Sequence, residues 1–336
     1  MALAASAAVA QEQTPINGQR LPPPSTYVSQ ELRDVLVRTP PLDVAAAKAR
    51  VFGSQKEWQA TLSRAESSPL ATEMAKEMGV TITPQIIAGV RTFRLAPKKI
   101  ADNHAGHLFV YIHGGAFVEG WGLSGTFEGI GIAAGVGINV LGIDYRLAPE
   151  HPAPAARDDI IGVWRSITAQ HDPKSIGLGG SSAGGNLALV ATLRMKELGL
   201  GLPGALFVGT PPVDLAKRTD SRFINEGIDR HIITWDGAAA RCVAAYVGSG
   251  SYDDPYVSPV FGDFSGFPPT YLISGTRDLL LSDTVIAHRK LRKAGVIADL
   301  HVYEGQSHGD YAWLPKTPEA KEHFQELSAF LLRHLK

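Results

Sequence analysis

The hydrophobic positions of the chain follow two different periods, which predict strands and helices in turn. Short apolar runs that stop at a glycine or a polar loop predict strands at residues 89–95, 107–112, 138–143, 205–208, 270–274 and 299–303, with one more just before Ser182. Apolar residues spaced three and four apart predict helices at residues 31–38, 44–50, 55–67, 69–78, 158–169, 283–294 and 319–335, with one more just after Ser182. This alternation predicts an α/β fold with a mainly parallel central sheet flanked by helices on both faces.

The alternation is missing in three segments, which divide the chain. Residues 1–24 are small, apolar or rich in proline and predict a disordered or residual signal segment. Residues 25–80 carry mainly helical patterns, and residues 211–265 combine glycine, proline and aromatics without a strand rhythm. We interpret these two segments as the N-terminal part and the insertion of a helical cap, over a core made of residues 81–210 and 266–336.

Composition excludes several classes of function. The 336 residues have a formal net charge of −1 and no long basic run, so the charge pattern of a nucleic-acid-binding protein is missing. The single cysteine, Cys242, allows neither an internal disulfide nor a cysteine-based metal cluster, and we interpret it as a small buried apolar residue. The longest apolar tract, residues 129–143, contains Asn139 and glycines and is interpreted as a buried helix-to-strand passage rather than a membrane span.

The first ten residues leave the localisation open. Ala8, Val9 and Ala10 before Gln11 resemble a signal-peptidase site, although no positively charged region precedes them. The protein is expected to be periplasmic or secreted if residues 1–10 are the remnant of a signal peptide, and cytoplasmic otherwise.

The strand-to-helix passage around Ser182 carries the strongest chemical signal. Residues 180–184 read Gly-Ser-Ser-Ala-Gly, the Gly-x-Ser-x-Gly pattern that holds a serine on a tight turn with its hydroxyl exposed. Because a serine hydroxyl is a weak nucleophile at neutral pH, Ser182 needs a histidine base and a carboxylate that orients the histidine.

Residues that directly follow predicted strands supply both partners, in the order serine, acid, histidine. His308 stands out among the six histidines after Ser182 because its loop follows a strand, where the ring reaches the carboxyl end of the sheet. Asp278 has the same placement. Asp283 is its rival, but its position near the start of a helix favours a capping role. A comparable placement is lacking for three further acids, Asp254, Asp263 and Glu304.

A second glycine turn precedes the serine turn. His113, Gly114, Gly115 and Ala116 follow a predicted strand and offer several backbone N–H groups in one loop. Hydrolysis of an acyl bond needs such donors for the negative oxygen that develops in the transition state. The N–H of Ala183, the residue after the serine, completes the predicted oxyanion hole.

These motifs resemble those of the hormone-sensitive-lipase-like family of bacterial esterases, which has the α/β-hydrolase fold. The resemblance covers roughly residues 80–336 and rests on four matches: the turn at 113–116, residues 144–150 (Asp-Tyr-Arg-Leu-Ala-Pro-Glu), residues 180–186, and the loops of Asp278 and His308. It implies a serine carboxylesterase acting on small-molecule esters with short to medium acyl groups, with neither a cofactor nor a metal.

The resemblance also implies the role of each site residue. Ser182 is then the nucleophile, Asp278 the acid and His308 the base. The oxyanion donors are Gly115, Ala116 and Ala183, with Gly114 beside them. His113 positions its own loop, whereas residues 144–150 and Asp158 brace the fold. A homodimer is expected by analogy with relatives that pair through an edge strand.

The sequence departs from the common family pattern at three positions. Ala116 replaces a third glycine, Ser181 replaces the usual Asp or Thr before the nucleophile, and Leu279 replaces a proline after the acid. None of the three removes a catalytic group.

The substrate pocket is the least specified part of the site. Five large apolar residues near the turns and in the insertion are candidates to line it: Phe117, Trp121, Phe223, Ile228 and Trp235. Two alternatives stay open, namely a lactone or amide hydrolase with the same triad and a non-catalytic ligand-binding homologue.

Overall fold

The computed structural model describes residues 21–50, 57 and 68–336. The predictions for residues 1–20 and most of the helix predicted at 55–67 therefore lie outside the described residues. The strands are β1 Val80–Ile87, β2 Val90–Pro97, β3 Leu108–Ile112, β4 Asn139–Ile143, β5 Ile176–Ser181, β6 Ala205–Gly209, β7 Thr270–Gly275 and β8 Ala298–Tyr303.

The described helices lie between and around these strands. They are α1 Gln30–Arg38, α2 Val44–Ala49, α3 Pro69–Met78, α4 Phe127–Ile132, α5 Ala155–Thr168, α6 Ala183–Glu197, α7 Ser221–Ile224, α8 Ala238–Val247, α9 Leu281–Lys293, α10 Asp310–Trp313 and α11 Pro318–His334. No helix in the described ranges combines the length and the apolarity that crossing a bilayer requires.

All eight strands form one sheet in the order β1-β2-β4-β3-β5-β6-β7-β8. β2 is antiparallel to both of its neighbours, and the other five pairs are parallel. Every residue of β5, β6 and β7 is buried, as expected for strands that helices cover on both faces. The predicted α/β architecture with a mainly parallel sheet is confirmed.

The helices divide between the two faces of the sheet. Val110 of β3 packs in one apolar cluster with residues of α5, α6 and α9, whereas its neighbour Phe109 packs in a second cluster with residues of α3, α4 and α11. Successive side chains of a strand point to opposite faces, so the alternation along β3 separates the two cores.

β1 is absent from the sequence prediction. It lies at the edge of the sheet, most of its residues are exposed or half-buried, and it contains Pro84. An edge strand tolerates a proline because it has one side without a ladder partner. Its pattern therefore lacks the buried apolar run that identifies the central strands.

The segment between β6 and β7 leaves the sheet and returns to it over residues 210–269, and it carries α7 and α8. Helix α2 lies beside this segment, because Lys48 forms a 2.7 Å ion pair with Glu226. Helix α1 is tied instead to α11, since the backbone N–H and the hydroxyl of Ser29 both donate to the Glu319 carboxylate.

Candidate active site

Ser182 lies at the turn from β5 to α6 in a backbone conformation that few non-glycine residues adopt. Its φ is 58° and its ψ is −125°. Added Cβ atoms at Gly180 and Gly184 would lie 1.9 and 2.0 Å from the carbonyl oxygen of Ile112. The glycines of the motif are therefore required by the close approach of β3, and they let the turn present Ser182 at the carboxyl end of the sheet.

His308 and Asp278 lie next to each other at the same end of the sheet. Asp278 follows β7, His308 follows β8, and His308 Nδ1 lies 3.1 Å from Asp278 Oδ1. The carboxylate also accepts hydrogen bonds from Ser274 Oγ at 2.6 Å and from the backbone N–H of Leu280 at 2.8 Å. Both side chains are buried, so this acid–histidine pair is shielded from water.

The charges of the pair support each other. Burial alone would raise the pKa of Asp278, but the His308 charge and the hydrogen bonds to the carboxylate outweigh it and hold the pKa below its usual range. Burial alone would lower the pKa of His308, but Asp278 outweighs it and the pKa is raised. The site favours an imidazolium that faces a carboxylate.

Thr210 and Asp229 also surround this pair, and sequence reasoning missed both. Thr210 Oγ1 donates to the Asp278 carboxylate and lies 3.0 Å from His308 Nδ1. Asp229 comes from the segment between β6 and β7 and accepts the N–H of Leu279 at 2.8 Å. It also accepts the N–H groups of His231 and Ile232. No sequence motif identifies either residue, because each reaches the pair through contacts between segments that are distant along the chain.

Asp229, Asp278 and His308 offer ligand atoms within 4.8 Å of one another. Burial, followed by the neighbouring Asp278 charge, raises the pKa of Asp229 to about 7. A metal ion in this cluster would compete with the Nδ1 contact between His308 and Asp278 and with the donors that surround both carboxylates. The hydrogen-bond pattern is that of a buried acid–base pair, and we assign no metal to it.

The loop after β3 places four consecutive residues beside the turn that carries Ser182. An added Cβ at Gly114 would lie 3.0 Å from the Ser181 carbonyl oxygen and 3.4 Å from Ser182 Cβ, so the loop approaches the serine closely. The next three residues, Gly115, Ala116 and Phe117, have φ values of 111°, 50° and 67°. Non-glycine residues rarely adopt a positive φ, so Ala116 and Phe117 mark this loop as strained.

His113 holds this loop from behind. Its ring stacks on Tyr145 at 4.1 Å, and the Tyr145 hydroxyl donates to the His113 carbonyl oxygen at 2.9 Å. Its Nδ1 lies 2.7 Å from the carbonyl oxygen of Gly114. Its predicted role as a loop-positioning residue agrees with these contacts.

The segment at 144–150 makes fold-bracing contacts. Asp144 pairs with Arg91 and accepts the N–H of Gly122 at 3.0 Å. Arg146 forms a 2.8 Å ion pair with Asp159. The bracing acid on α5 is therefore Asp159 rather than the predicted Asp158, whose half-exposed carboxylate pairs with the adjacent Arg157.

Asp283 differs from its predicted role as a helix cap. The helix α9 begins at Leu281 after an N-cap position occupied by Leu280. The Asp283 carboxylate reaches outward from the first turn to Arg222, at 2.8 Å, and to the N–H groups of Val213 and Asp214. It anchors the segment between β6 and β7 and does not contact His308.

A cavity of about 710 Å³ opens over these turns. Ser182, His308 and the loop at 113–116 form its floor, and residues 231–234, 238, 239 and 242 contribute from the segment between β6 and β7. Cys242 is buried, as expected, and burial raises the pKa of its thiol to about 12.

None of the five predicted pocket residues belongs to the lining of this cavity. Phe117 stacks on Tyr246 at 3.9 Å inside the core. Trp121 lies under Arg91, and Trp235 lies under Arg222. Phe223 is 58% exposed and Ile228 is half-buried. Large apolar side chains fill the interior wherever space exists, so aromatic character alone does not locate a pocket wall.

Comparisons with known proteins agree with this geometry. A family model described as alpha/beta hydrolase fold matches residues 109–312. An esterase of Acinetobacter venetianus is 32% identical over 252 residues, which cover 75% of this chain and 82% of that protein. Among solved structures, an esterase with 44% sequence identity has a TM-score of 0.92 and covers 96% of this chain and 99% of its own. An esterase of the bacterial hormone-sensitive lipase family has a TM-score of 0.75 at 27% identity, covering 92% of this chain and 99% of its own.

Proposed function

The chain belongs to the α/β-hydrolase family as a carboxylic ester hydrolase of the hormone-sensitive-lipase-like group, and we propose that it hydrolyses short to medium acyl esters through Ser182, His308 and Asp278. The observation that carries the proposal is the meeting of Ser182, on its strained turn, with the buried His308–Asp278 pair at one cavity.

The first step is attack by Ser182 on the ester carbonyl carbon. His308 accepts the hydroxyl proton and becomes an imidazolium, which the buried Asp278 carboxylate stabilises. Because Asp278 engages Nδ1 at 3.1 Å, we assign the proton transfer with Ser182 to Nε2. The same imidazolium then protonates the departing alcohol, and the acyl group stays on Ser182. Water deacylates the enzyme by the reverse transfers.

The negative oxygen of the tetrahedral intermediate needs donors that are already in place. The N–H groups of Gly115 and Ala116 donate to no backbone carbonyl in the described part of the chain outside regular elements. Ala183 is the first residue of α6, where backbone N–H groups lack intrahelical acceptors. We assign these three N–H groups to the oxyanion hole, with Gly114 allowing the close approach of the loop.

The proposed acyl range follows from the cavity. Its volume of about 710 Å³ lies in the range of pockets that enclose small organic ligands. The apolar side chains that the segment between β6 and β7 contributes to the lining are small or medium in size: Ile232, Ile233, Ala238, Ala239 and Cys242. Such a wall suits an acyl chain of a few carbons better than a long one.

Labelling with a fluorophosphonate probe followed by peptide mapping tests the nucleophile. The expected adduct is on Ser182, and Ser182→Ala should neither label nor turn over p-nitrophenyl acetate. Full turnover by Ser182→Ala would overturn the proposed mechanism. A series of p-nitrophenyl esters from acetate to laurate, run beside lactones and anilides, tests the substrate class, and we expect the highest kcat/KM among the shorter esters.

A further inference from the structure

A second buried carboxyl group lies behind the nucleophile turn. Helix α4 carries Glu128 into the interior, where the side chain is 5% exposed. The hydroxyl of Ser181, the residue immediately before Ser182, donates a hydrogen bond to the Glu128 carboxylate. Ser181 Oγ also lies 2.7 Å from the hydroxyl of Tyr311 on α10. Glu128 therefore holds the last residue of β5, at the point where the turn begins.

Glu128, like Asp229, is a buried acid that forms no ion pair among the described residues. No lysine or arginine forms an ion pair with it in the described ranges of the chain. The groups that face it are the hydroxyls of Tyr111 from β3, Ser181 from β5 and Tyr311 from α10, together with the His308 ring. The imidazolium of His308 is the positive charge that the reaction itself creates nearby.

Both protonation states of the Glu128 carboxyl group are populated near neutral pH. Burial raises the pKa of Glu128 to about 7, although the hydrogen bonds from Ser181 and Tyr111 and the charge of His308 act in the opposite direction. Glu128 also lines the same cavity as Ser182 and His308. A carboxylate in so dry a site acts on a neighbouring charge more strongly than it would in water.

We propose that Glu128 is a positioning residue of ester hydrolysis, whose negative charge stabilises the His308 imidazolium and whose hydrogen bond through Ser181 fixes the turn that carries Ser182. The inference rests on the proposed roles of Ser182 and His308. The other titratable groups that face His308 are Asp278, Asp229 and Asp310, and His231 from the segment between β6 and β7. Glu128 on α4 adds a fourth carboxylate to this set, and its hydrogen bond from Ser181 connects it to the strand that leads into Ser182.

The variant Glu128→Gln tests the charge, because glutamine has nearly the same size and still accepts a hydrogen bond. The measurement is the pH dependence of kcat/KM for a soluble short-chain ester. Loss of a negative charge near His308 lowers the pKa of the imidazole. Because Glu128 is itself partly protonated below pH 7, we expect the acid limb to move down by only about 0.5 pH unit. We also expect kcat on the plateau to fall about tenfold, because the imidazolium is less stabilised.

Tyr311→Phe is the matched control. Tyr311→Phe removes a hydroxyl from the same hydrogen-bonded cluster but changes no charge. Its acid limb should therefore stay at the wild-type position, even if the variant is less stable than the wild type. Thermal unfolding of each variant reports that structural contribution separately. An unshifted limb in Glu128→Gln, or an equal shift in Tyr311→Phe, would overturn the proposal.

A second variant covers the case in which Glu128→Gln does not fold. The double variant Glu128→Gln with Ser181→Asp returns a carboxylate to the same space, one residue before the nucleophile. We expect its acid limb to lie near that of the wild type, and a limb shifted down by the amount given above would contradict the role of the charge. Ser182→Ala separates the two proposals: turnover by that variant refutes the mechanism itself, whereas an inactive Ser182→Ala beside an unshifted Glu128→Gln refutes the role of Glu128 alone.

Discussion

The buried ion pair between Arg222 and Asp283 gives the sharpest test of how the segment between β6 and β7 is fastened to the core. Both side chains are 0% exposed, and Arg222 Nη2 lies 2.8 Å from Asp283 Oδ1. The guanidinium also donates to the carbonyl oxygens of Asp214 and Ala216 and lies 3.7 Å from the centre of the Trp235 ring. We predict that Arg222→Met strongly destabilises the fold.

The magnitude follows from what remains after the cation is removed. Asp283 keeps the N–H groups of Val213 and Asp214 and the hydroxyl of Thr219 as donors, but it loses its only ion-pair partner among the described residues. An uncompensated buried charge costs about 3–5 kcal/mol. The contact with Trp235 adds about 0.5–2 kcal/mol at a desolvated site. Methionine recovers part of the packing, so we expect a net loss of about 4 kcal/mol.

Urea unfolding monitored by circular dichroism and tryptophan fluorescence measures this loss. The double variant Arg222→Met with Asp283→Leu should recover at least about 2 kcal/mol relative to the sum of the single changes, because it leaves no charge behind. Arg146→Met is the matched control: its 2.8 Å pair with Asp159 has a half-exposed arginine and should cost only about 1 kcal/mol. Additive single changes, or a loss in Arg222→Met no larger than in the control, would refute the reasoning.

Three further predictions concern the site itself. Ala116 has a φ of 50°, so Ala116→Gly should relieve backbone strain and raise stability by about 1 kcal/mol, with activity retained because the N–H remains; a lowered Tm would contradict this. Asp229→Asn should cost about 1–3 kcal/mol and reduce kcat, because an amide nitrogen must then face one of the backbone donors of Leu279, His231 and Ile232; denaturation and steady-state kinetics measure both effects. The raised pKa of Glu128, about 7, gives stability that is fully present below pH 4.5 and is lost as the pH rises through 7, by up to about 3 kcal/mol; Glu128→Gln should flatten that slope in pH-dependent unfolding.

The sequence was sufficient to place Ser182, Asp278 and His308 in loops at the carboxyl end of the sheet, because that placement depends on local chain geometry. The glycines around Ser182 mark a tight turn that β3 approaches closely, and Asp278 and His308 each lie in the loop after a strand, β7 and β8. Parallel strands bring their carboxyl ends to one edge of the sheet, so residues that follow different strands are expected to lie close together in space. The α/β architecture followed from the same alternation of periods.

Other parts depend on contacts between distant segments, which no local pattern records. Thr210, Asp229 and Glu128 reach the site from a strand end, an irregular segment and a short helix. Asp283 was predicted to be a helix cap because the sequence shows that it lies near the start of a helix. The sequence does not show that its ion-pair partner is Arg222, 61 residues earlier. The five large apolar residues predicted to line the pocket failed for a related reason: size and apolarity determine that a side chain is buried, but not which cavity it faces.

The position of Asp229 limits how the substrate range of this enzyme can be engineered. Segments that contribute to pocket walls without belonging to the sheet are attractive targets for loop grafting. Here the segment between β6 and β7 also supplies the Asp229 carboxylate that holds the backbone beside Asp278, so replacing it whole would disturb the proposed catalytic acid together with the pocket. Libraries that vary Ile232, Ile233, Ala238 and Ala239 while keeping Asp229 fixed would separate specificity from catalytic competence.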